Sequence, residues 1–217
     1  MGINPADFDF ISKIVREQSA IVLEKGKEYL VESRLMPLVH QEKLESLENL
    51  VKKVKSTPRG TLKDAVIEAM TTNETSFYRD IHPFETLKKE IFPELIEKRK
   101  TQRELNIWCG ASSSGQEPYS LVMLLKNSFP ELNTWRTNFS ASDLSNQMLN
   151  RCKSGIYSQL EINRGLPAPL MVKYFERIGT EWQVKEELRK MIQFRIINLS
   201  ESWPMMPPMD LIMMRNV

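Results

Sequence analysis

Trp108-Cys109-Gly110-Ala111-Ser112-Ser113-Ser114-Gly115-Gln116-Glu117-Pro118-Tyr119-Ser120 joins an apolar run to a helical one through a turn of small residues. Leu105-Asn106-Ile107-Trp108, which leads into it, is short and apolar enough for a buried strand. Tyr119 to Leu125, which follows, reads as a helix, with Pro118 at its first position, where a missing N–H costs nothing. A strand, a glycine- and serine-rich loop and a helix aim free backbone N–H groups at a ligand, and small residues let it come close. The loop lacks both G-x-G-x-x-G and G-x-x-x-x-G-K-[ST], which argues against a dinucleotide fingerprint and a P-loop. Glu117 stands at the mouth of the helix, where a carboxylate repels phosphate. It can accept from ribose hydroxyls or an amine, or simply be favoured by the helix dipole.

Further along, Phe139-Ser140-Ala141-Ser142-Asp143 reads as a second strand ending in an acid. Asp143 is placed for ribose hydroxyls, or for capping the next helix, Ser145 to Lys153, which Gly155 stops. Phe194 to Leu199 reads as a third strand, and Asp210 to Met214, after a Pro- and Met-rich loop, as a fourth. Strands alternating with helices argue for a parallel, doubly wound sheet. Between them, Tyr157 to Lys190 is broken by Gly165, Pro167, Pro169 and Gly179. Val172, Tyr174, Phe175, Trp182 and Val184 flank Ile178-Gly179-Thr180 there, suggesting a small inserted hairpin.

Residues up to about Thr71 read as four short amphipathic helices in a small bundle. Asn4-Pro5-Ala6-Asp7 is a helix start, and Phe8, Ile11, Ile14 and Val15 follow at helical spacing. The second helix carries Leu30, Val31, Leu35, Leu38 and Val39, and the third Leu44, Leu47, Leu50, Val51 and Val54. Thr61 and Asp64 suggest a capping-box start for the fourth. Lys52, Lys53, Lys55, Arg59 and Lys63 run without an intervening acid, either a solvated helix end or a docking face for an acidic partner. Thr71 to Asp80 then holds Phe77, Tyr78 and Arg79, which reads as an ordered junction touching a site. Pro83 opens a further helix, and His82 belongs to its start, not to catalysis.

A formal charge of +2 over 217 residues is too small to imply a nucleic-acid partner. Cys109 and Cys152 form no metal spacing and read as reduced thiols. The sequence shows no basic-then-apolar leader and no apolar run of spanning length, so the expected location is the cytoplasm, without membrane insertion.

Together these residues resemble the CheR-type chemotaxis receptor (protein-glutamate) O-methyltransferase family. The motifs that carry the resemblance are Asn73-Glu74-Thr75-Ser76-Phe77-Tyr78-Arg79, Trp108 through Ser120, Ser142-Asp143, Asn198-Leu199, and Asp210-Leu211-Ile212 running into Arg215-Asn216-Val217. The resemblance implies an α/β fold. A small N-terminal helical bundle (1–71) would precede a Rossmann-like class I methyltransferase domain (72–217) with an inserted β-subdomain at about 157–190. It implies S-adenosylmethionine as donor, S-adenosylhomocysteine as product, no metal, and glutamates on the helical signalling bundle of chemoreceptors as acceptors. The matching cofactor positions are Asn73, Thr75, Arg79, Glu117, Asp143, Asn198, Leu199, Arg215 and Asn216, with Arg215 also the candidate for orienting the acceptor.

Two departures accompany the resemblance. Family members continue through further strands past the position of Val217, so the fourth strand is expected to present a hydrophobic edge that favours self-association. A non-catalytic cofactor- or receptor-binding module is the alternative reading on that ground. The short hairpin at Gly179 points to action without a receptor tether.

Overall fold

The computed structural model describes residues 2–57, 60–71 and 74–217. They divide into two compact units: Met1–Thr72 with Asn198–Ser202, and Asn73–Ile197 with Trp203–Val217.

The first unit is helical. Helix α1 (Pro5–Ser19) begins as its sequence suggests, the Asn4 side chain accepting from the Asp7 N–H at 2.9 Å. Helix α2 (Glu28–Gln41) buries Val31, Leu35, Leu38 and Val39. Helix α3 (Leu47–Ser56) is capped by Ser46 and buries Leu50, Val51 and Val54. Helix α4 (Thr61–Met70) departs from expectation at its start. Its cap position is Gly60, at φ +153°, and no side chain caps it, so the Thr61–Asp64 box does not form. Thr61 is already inside the helix, too late to serve the first N–H groups. The apolar stripes of the four helices close on one core containing Phe8, Ile11, Leu35, Leu50, Val51 and Met70.

The basic run is partly consumed within this unit. Lys53 donates to Glu42 at 2.8 Å, and Lys55 reaches Asp7 at 2.7 Å while lying over the Phe10 ring. The sequence holds no acid between these lysines, but the fold brings two acids to them. Arg59 lies outside the described residues.

The second unit is α/β. Helix α5 (His82–Thr86) runs through a π turn, Leu87–Ile91, into α6 (Phe92–Arg99). Pro93 explains the wide turn. It has no N–H to return to the preceding turn, and its ring would crowd the carbonyl four residues back. Strand β1 (Glu104–Gly110), helix α7 (Gln116–Ser128), strand β2 (Arg136–Asp143) and helix α8 (Asn146–Ser154) follow. Ser145 caps α8 by accepting from the Met148 N–H, and Gly155 ends it in the left-handed conformation.

The loosely patterned region holds more than a hairpin. Strand β3 (Ile156–Ser158), helix α9 (Gln159–Asn163) and helix α10 (Ala168–Tyr174) precede strands β4 (Phe175–Ile178) and β5 (Glu181–Val184), which helix α11 (Glu186–Arg189) follows. Val172 and Tyr174 therefore belong to α10, not to the hairpin. The strands form an antiparallel sheet in the order β3-β5-β4, turning at Gly179. Gly165 packs against the Phe77 carbonyl so closely that a Cβ there would lie 2.1 Å from the oxygen.

Strands β6 (Ile192–Ile196) and β7 (Leu211–Met214) complete the main sheet, which is all parallel in the order β6-β2-β1-β7. The third strand thus begins and ends a few residues earlier than its pattern suggests. Among the described residues β7 is an edge strand, with Met213 buried and Ile212 51% exposed. Asp210 anchors that edge, accepting from Arg99 Nε at 2.6 Å and from the Asn106 N–H at 2.8 Å. The chain winds from β1 to β2 and β6 on one side, then returns to pair β7 on the other side of β1. The winding direction therefore reverses between β1 and β7, where open parallel sheets form a ligand crevice at the carboxyl ends of their strands.

Candidate functional site

The loop after β1 is built from left-handed residues: Ala111 (φ 51°), Ser113 (φ 47°) and Gly115 (φ 96°). Gly115 has a second reason to be glycine, because a Cβ would meet Cys152 Sγ at 2.9 Å and Tyr157 Oη at 3.0 Å. Helix α7 starts immediately afterwards at Gln116, so Pro118 is its third residue, not its first. Glu117 sits in the first turn, as expected.

The loop is held from behind. The Ser112 N–H donates to the Ser142 carbonyl at 2.9 Å, continuing the β1–β2 pairing. The Ser113 carbonyl accepts from the Cys152 thiol at 3.0 Å, and the Ser114 carbonyl from the Tyr157 hydroxyl at 2.7 Å. Asp143, at the end of β2, accepts from the Ser113 N–H at 2.7 Å through one oxygen and from the Ser145 N–H at 2.9 Å through the other. It thus ties the loop to the start of α8. Trp108 Nε1 donates to Ser142 Oγ at 2.9 Å, and the half-exposed Trp203 meets the Trp108 ring edge-on at 5.0 Å.

In front of α7 the structure assembles a mixed-charge cluster. The Arg215 guanidinium, just past β7, donates through Nη1 to Glu117 Oε2 at 3.1 Å and to the Arg79 carbonyl at 3.0 Å, and through Nη2 to Asp80 at 2.7 Å. Arg79 donates to the Glu74 carbonyl at 2.8 Å, and Glu74 pairs with Arg164. Burial pushes the Glu117 carboxyl above its usual range, against the pull of Arg215 and Arg79. A partly desolvated carboxylate beside two guanidiniums suits a zwitterion, an ammonium on the acid and a carboxylate on the cations.

Arg79, Glu117 and Arg215, separated widely in sequence, are therefore neighbours. Asp143 lies at the end of β2, and Asn216, at φ 55°, follows Arg215 and is exposed. Thr75 is half-buried. Asn73 lies outside the described residues. The Ile197 N–H donates to the Asp143 carbonyl at 3.2 Å, so the chain leaves β6 at the carboxyl end of β2. One residue later the Asn198 amide donates to the Gln18 carbonyl at 2.6 Å, and its oxygen accepts from Ser200. Asn198 and Leu199 group with the helical unit.

Sequence reasoning missed three residues of this site. Asp80 is the acid directly after Phe77-Tyr78-Arg79, a stretch already singled out. Ser120 Oγ accepts from the Tyr78 N–H at 2.9 Å and donates to the Gln116 carbonyl at 2.6 Å. Nothing local announced that long-range bond. Tyr157, fully buried, holds the loop from the inserted sheet.

A parallel sheet with a glycine–serine turn after its first strand and an acid at the end of its second defines a Rossmann-like domain of the methyltransferase class, with a mixed-charge cluster at the switch between β1 and β7. Two family models match: "CheR methyltransferase, SAM binding domain" over residues 73–217, and "CheR methyltransferase, all-alpha domain" over residues 6–71. The chain belongs to the CheR methyltransferase family. It is 41% identical to chemotaxis protein methyltransferase 1 of Pseudomonas aeruginosa and 39% identical to chemotaxis protein methyltransferase Cher2 of Pseudomonas putida. Each match covers 100% of this chain and 80% of the relative. The chemotaxis protein methyltransferase of Borreliella burgdorferi is 35% identical over 100% of the chain and 78% of its own length. Among the described residues no helix is long and apolar enough to cross a membrane.

Proposed function

We propose that this chain transfers the methyl group of S-adenosylmethionine to glutamate carboxylates on the cytoplasmic helical bundle of chemoreceptors. The products are glutamate methyl esters and S-adenosylhomocysteine. The observation that carries the reading is the Glu117–Arg215–Arg79 cluster at the switch between β1 and β7, in a chain matched by both CheR models.

The residues present suit the donor. Its amino-acid head is a zwitterion, for which Glu117 offers a carboxylate to the ammonium and Arg79 a guanidinium to the carboxylate. Thr75 and Asn73 belong to the segment leading into Arg79. The left-handed loop Ala111–Gly115 admits a close approach, and Asp143 stands where ribose hydroxyls would lie. Asn198 and Leu199 are assigned to the adenine edge, and Asn216 to the donor beside Arg215. In this reading, residues 1–71 form the receptor-engaging helical domain, and 72–217 the donor-binding domain with its insertion at about 157–190.

The donor supplies an electrophilic methyl on a sulfonium: the acceptor oxygen forms the new O–C bond as the C–S bond breaks, its electron pair passing to sulfur. The acceptor needs no general base, because a glutamate with a reference pKa of about 4.3 is already a carboxylate near neutral pH. For the same reason the chemistry calls for no metal. What the protein supplies is alignment and exclusion of water, with Arg215 orienting the acceptor carboxylate. The enzyme works in the cytoplasm, where its acceptors are.

Isothermal titration with S-adenosylhomocysteine tests the site, and transfer of a labelled methyl to a chemoreceptor fragment, released by base as methanol, tests the reaction. One-to-one binding is expected. Arg79→Ala is expected to weaken it by more than about tenfold, the equivalent of a charge-assisted hydrogen bond. Binding without transfer to any receptor fragment would replace this reading with that of a non-catalytic binding module.

A further inference from the structure

The segment that carries Arg79 is held in an unusual way. Tyr78 (φ 47°) and Asp80 (φ 55°), neither of them glycine, both adopt the left-handed conformation. Such residues persist only where their surroundings over-determine them. Here Ser120 on α7 takes the Tyr78 N–H, and Gly165 packs on the carbonyl of the fully buried Phe77. The effect of the two left-handed residues is to turn the Arg79 carbonyl and the Asp80 carboxylate onto one guanidinium, that of Arg215.

The division of that guanidinium is informative. Nη2 goes to Asp80 at 2.7 Å, while Nη1 is shared between the Arg79 carbonyl at 3.0 Å and a single Glu117 oxygen at 3.1 Å. Arginine and a carboxylate prefer two parallel bonds, fork to fork. Here Asp80 holds the second nitrogen elsewhere, and the Arg79 carbonyl shares the first. Its side chain is 65% exposed, so the pair contributes little to stability.

We propose that Asp80 is a positioning residue: by retaining Nη2 of Arg215 it prevents a bidentate Arg215–Glu117 pair, which leaves the second Glu117 oxygen to accept from the donor's ammonium. The proposal rests on the reading of the site given above. Without Asp80 the guanidinium closes onto Glu117, and the amino-acid head of the donor loses its partner while the adenosine end keeps its own.

Titrations of the 217-residue chain with two ligands separate these ends: S-adenosylhomocysteine, which carries the head, and 5′-methylthioadenosine, which lacks it. Asparagine tolerates the left-handed backbone, so Asp80→Asn changes charge and not shape. Asp80→Asn is expected to weaken S-adenosylhomocysteine binding by about fivefold to tenfold and to leave methylthioadenosine binding and the melting midpoint unchanged. In an Arg215→Gln background the same change is expected to cost nothing further, because its effect passes through Arg215. Unchanged S-adenosylhomocysteine affinity in Asp80→Asn overturns the proposal, and so does an equal loss for both ligands or a loss that persists without Arg215. If the wild-type chain itself fails to bind S-adenosylhomocysteine, the site reading falls and the proposal with it. Wild-type binding with an indifferent Asp80 removes the proposal alone.

Discussion

The two units bury polarity in opposite ways. In the helical unit the one buried charged or polar residue among those described is Asp7, which Lys55 and Asn4 satisfy at the surface end of α1. In the α/β unit every other buried polar residue lies between Ser112 and Ser145, around the carboxyl ends of β1 and β2. Burying a polar group without a partner is costly, so a fold with no use for such groups keeps them outside. The helical unit is close to that limit, with apolar stripes inside and ion pairs outside, and Ser12 Oγ on α1 is a buried side-chain oxygen without a partner among the described residues. The α/β unit instead concentrates its buried polar residues in one place and ties most of them to neighbouring backbone and side chains. The difference teaches that polar burial is a better guide to the site than charge, since the most basic run of the sequence lies in the other unit and is partly spent on Glu42 and Asp7.

The strongest test of this contrast concerns the clamp on the Phe77 carbonyl. Gly165→Ala forces a Cβ against that oxygen at a residue with φ +97°, and is expected to cost about 4 kcal/mol, read as a lowered urea midpoint. Leu50→Ala in the helical core is expected to cost about 3 kcal/mol while leaving S-adenosylhomocysteine affinity of the folded protein unchanged. A parallel loss of affinity would break the division of labour between the units. Ser120→Ala orphans the Tyr78 N–H and is expected to cost about 2 kcal/mol together with a weaker titration, because the Tyr78–Asp80 segment loses its anchor.

The smallest effect depends on pH. The folded Glu117 carboxyl titrates above its unfolded value because burial disfavours its charge. Its charged form is therefore a net cost to folding above the folded pKa, and that cost disappears as pH falls towards the unfolded value of about 4.3. Glu117→Gln is expected to raise the melting midpoint near neutral pH by about 2 °C at most, with the gain fading on acidification. The same variant is expected to lose donor affinity. A gain that grows towards low pH would mean that Arg215 outweighs burial at this site.

Much of this was legible in the sequence, and the failures have physical causes. Asn4 acts locally, within three residues of the N–H it serves, so a cap of that kind can be read directly, whereas the cap of α8 is Ser145 and not the Asp143 that the sequence offered. Thr61 and Pro118 misled because a glycine, Gly60 directly before Thr61 and Gly115 three residues before Pro118, allowed the chain to enter the helix earlier than the capping residue or proline implied. Helices α9 to α11 were hidden by their shortness and by the glycines and prolines between them. In the site, Glu117 and Asp143 stood out because one opens a helix and the other ends a strand, and Arg79 because it sits beside two aromatics in a polar junction. Asp80 and Ser120 did not, since their partners lie 135 and 42 residues away. The use of Asn198 on Gln18 is likewise a product of tertiary structure, 180 residues apart.

The thiol bond behind the loop gives the molecule a built-in clock. Cys152 is buried, donates its hydrogen to the Ser113 carbonyl, and has its pKa pushed up to about 12 by burial. At neutral pH an alkylating reagent finds almost no thiolate and no access while that seam is shut. Modification must wait for α8 and the loop to separate. The rate of labelling at this one sulfur therefore counts how often α8 and the back of the loop part, and any molecule that steadies the front of the loop should slow the count without touching the cysteine.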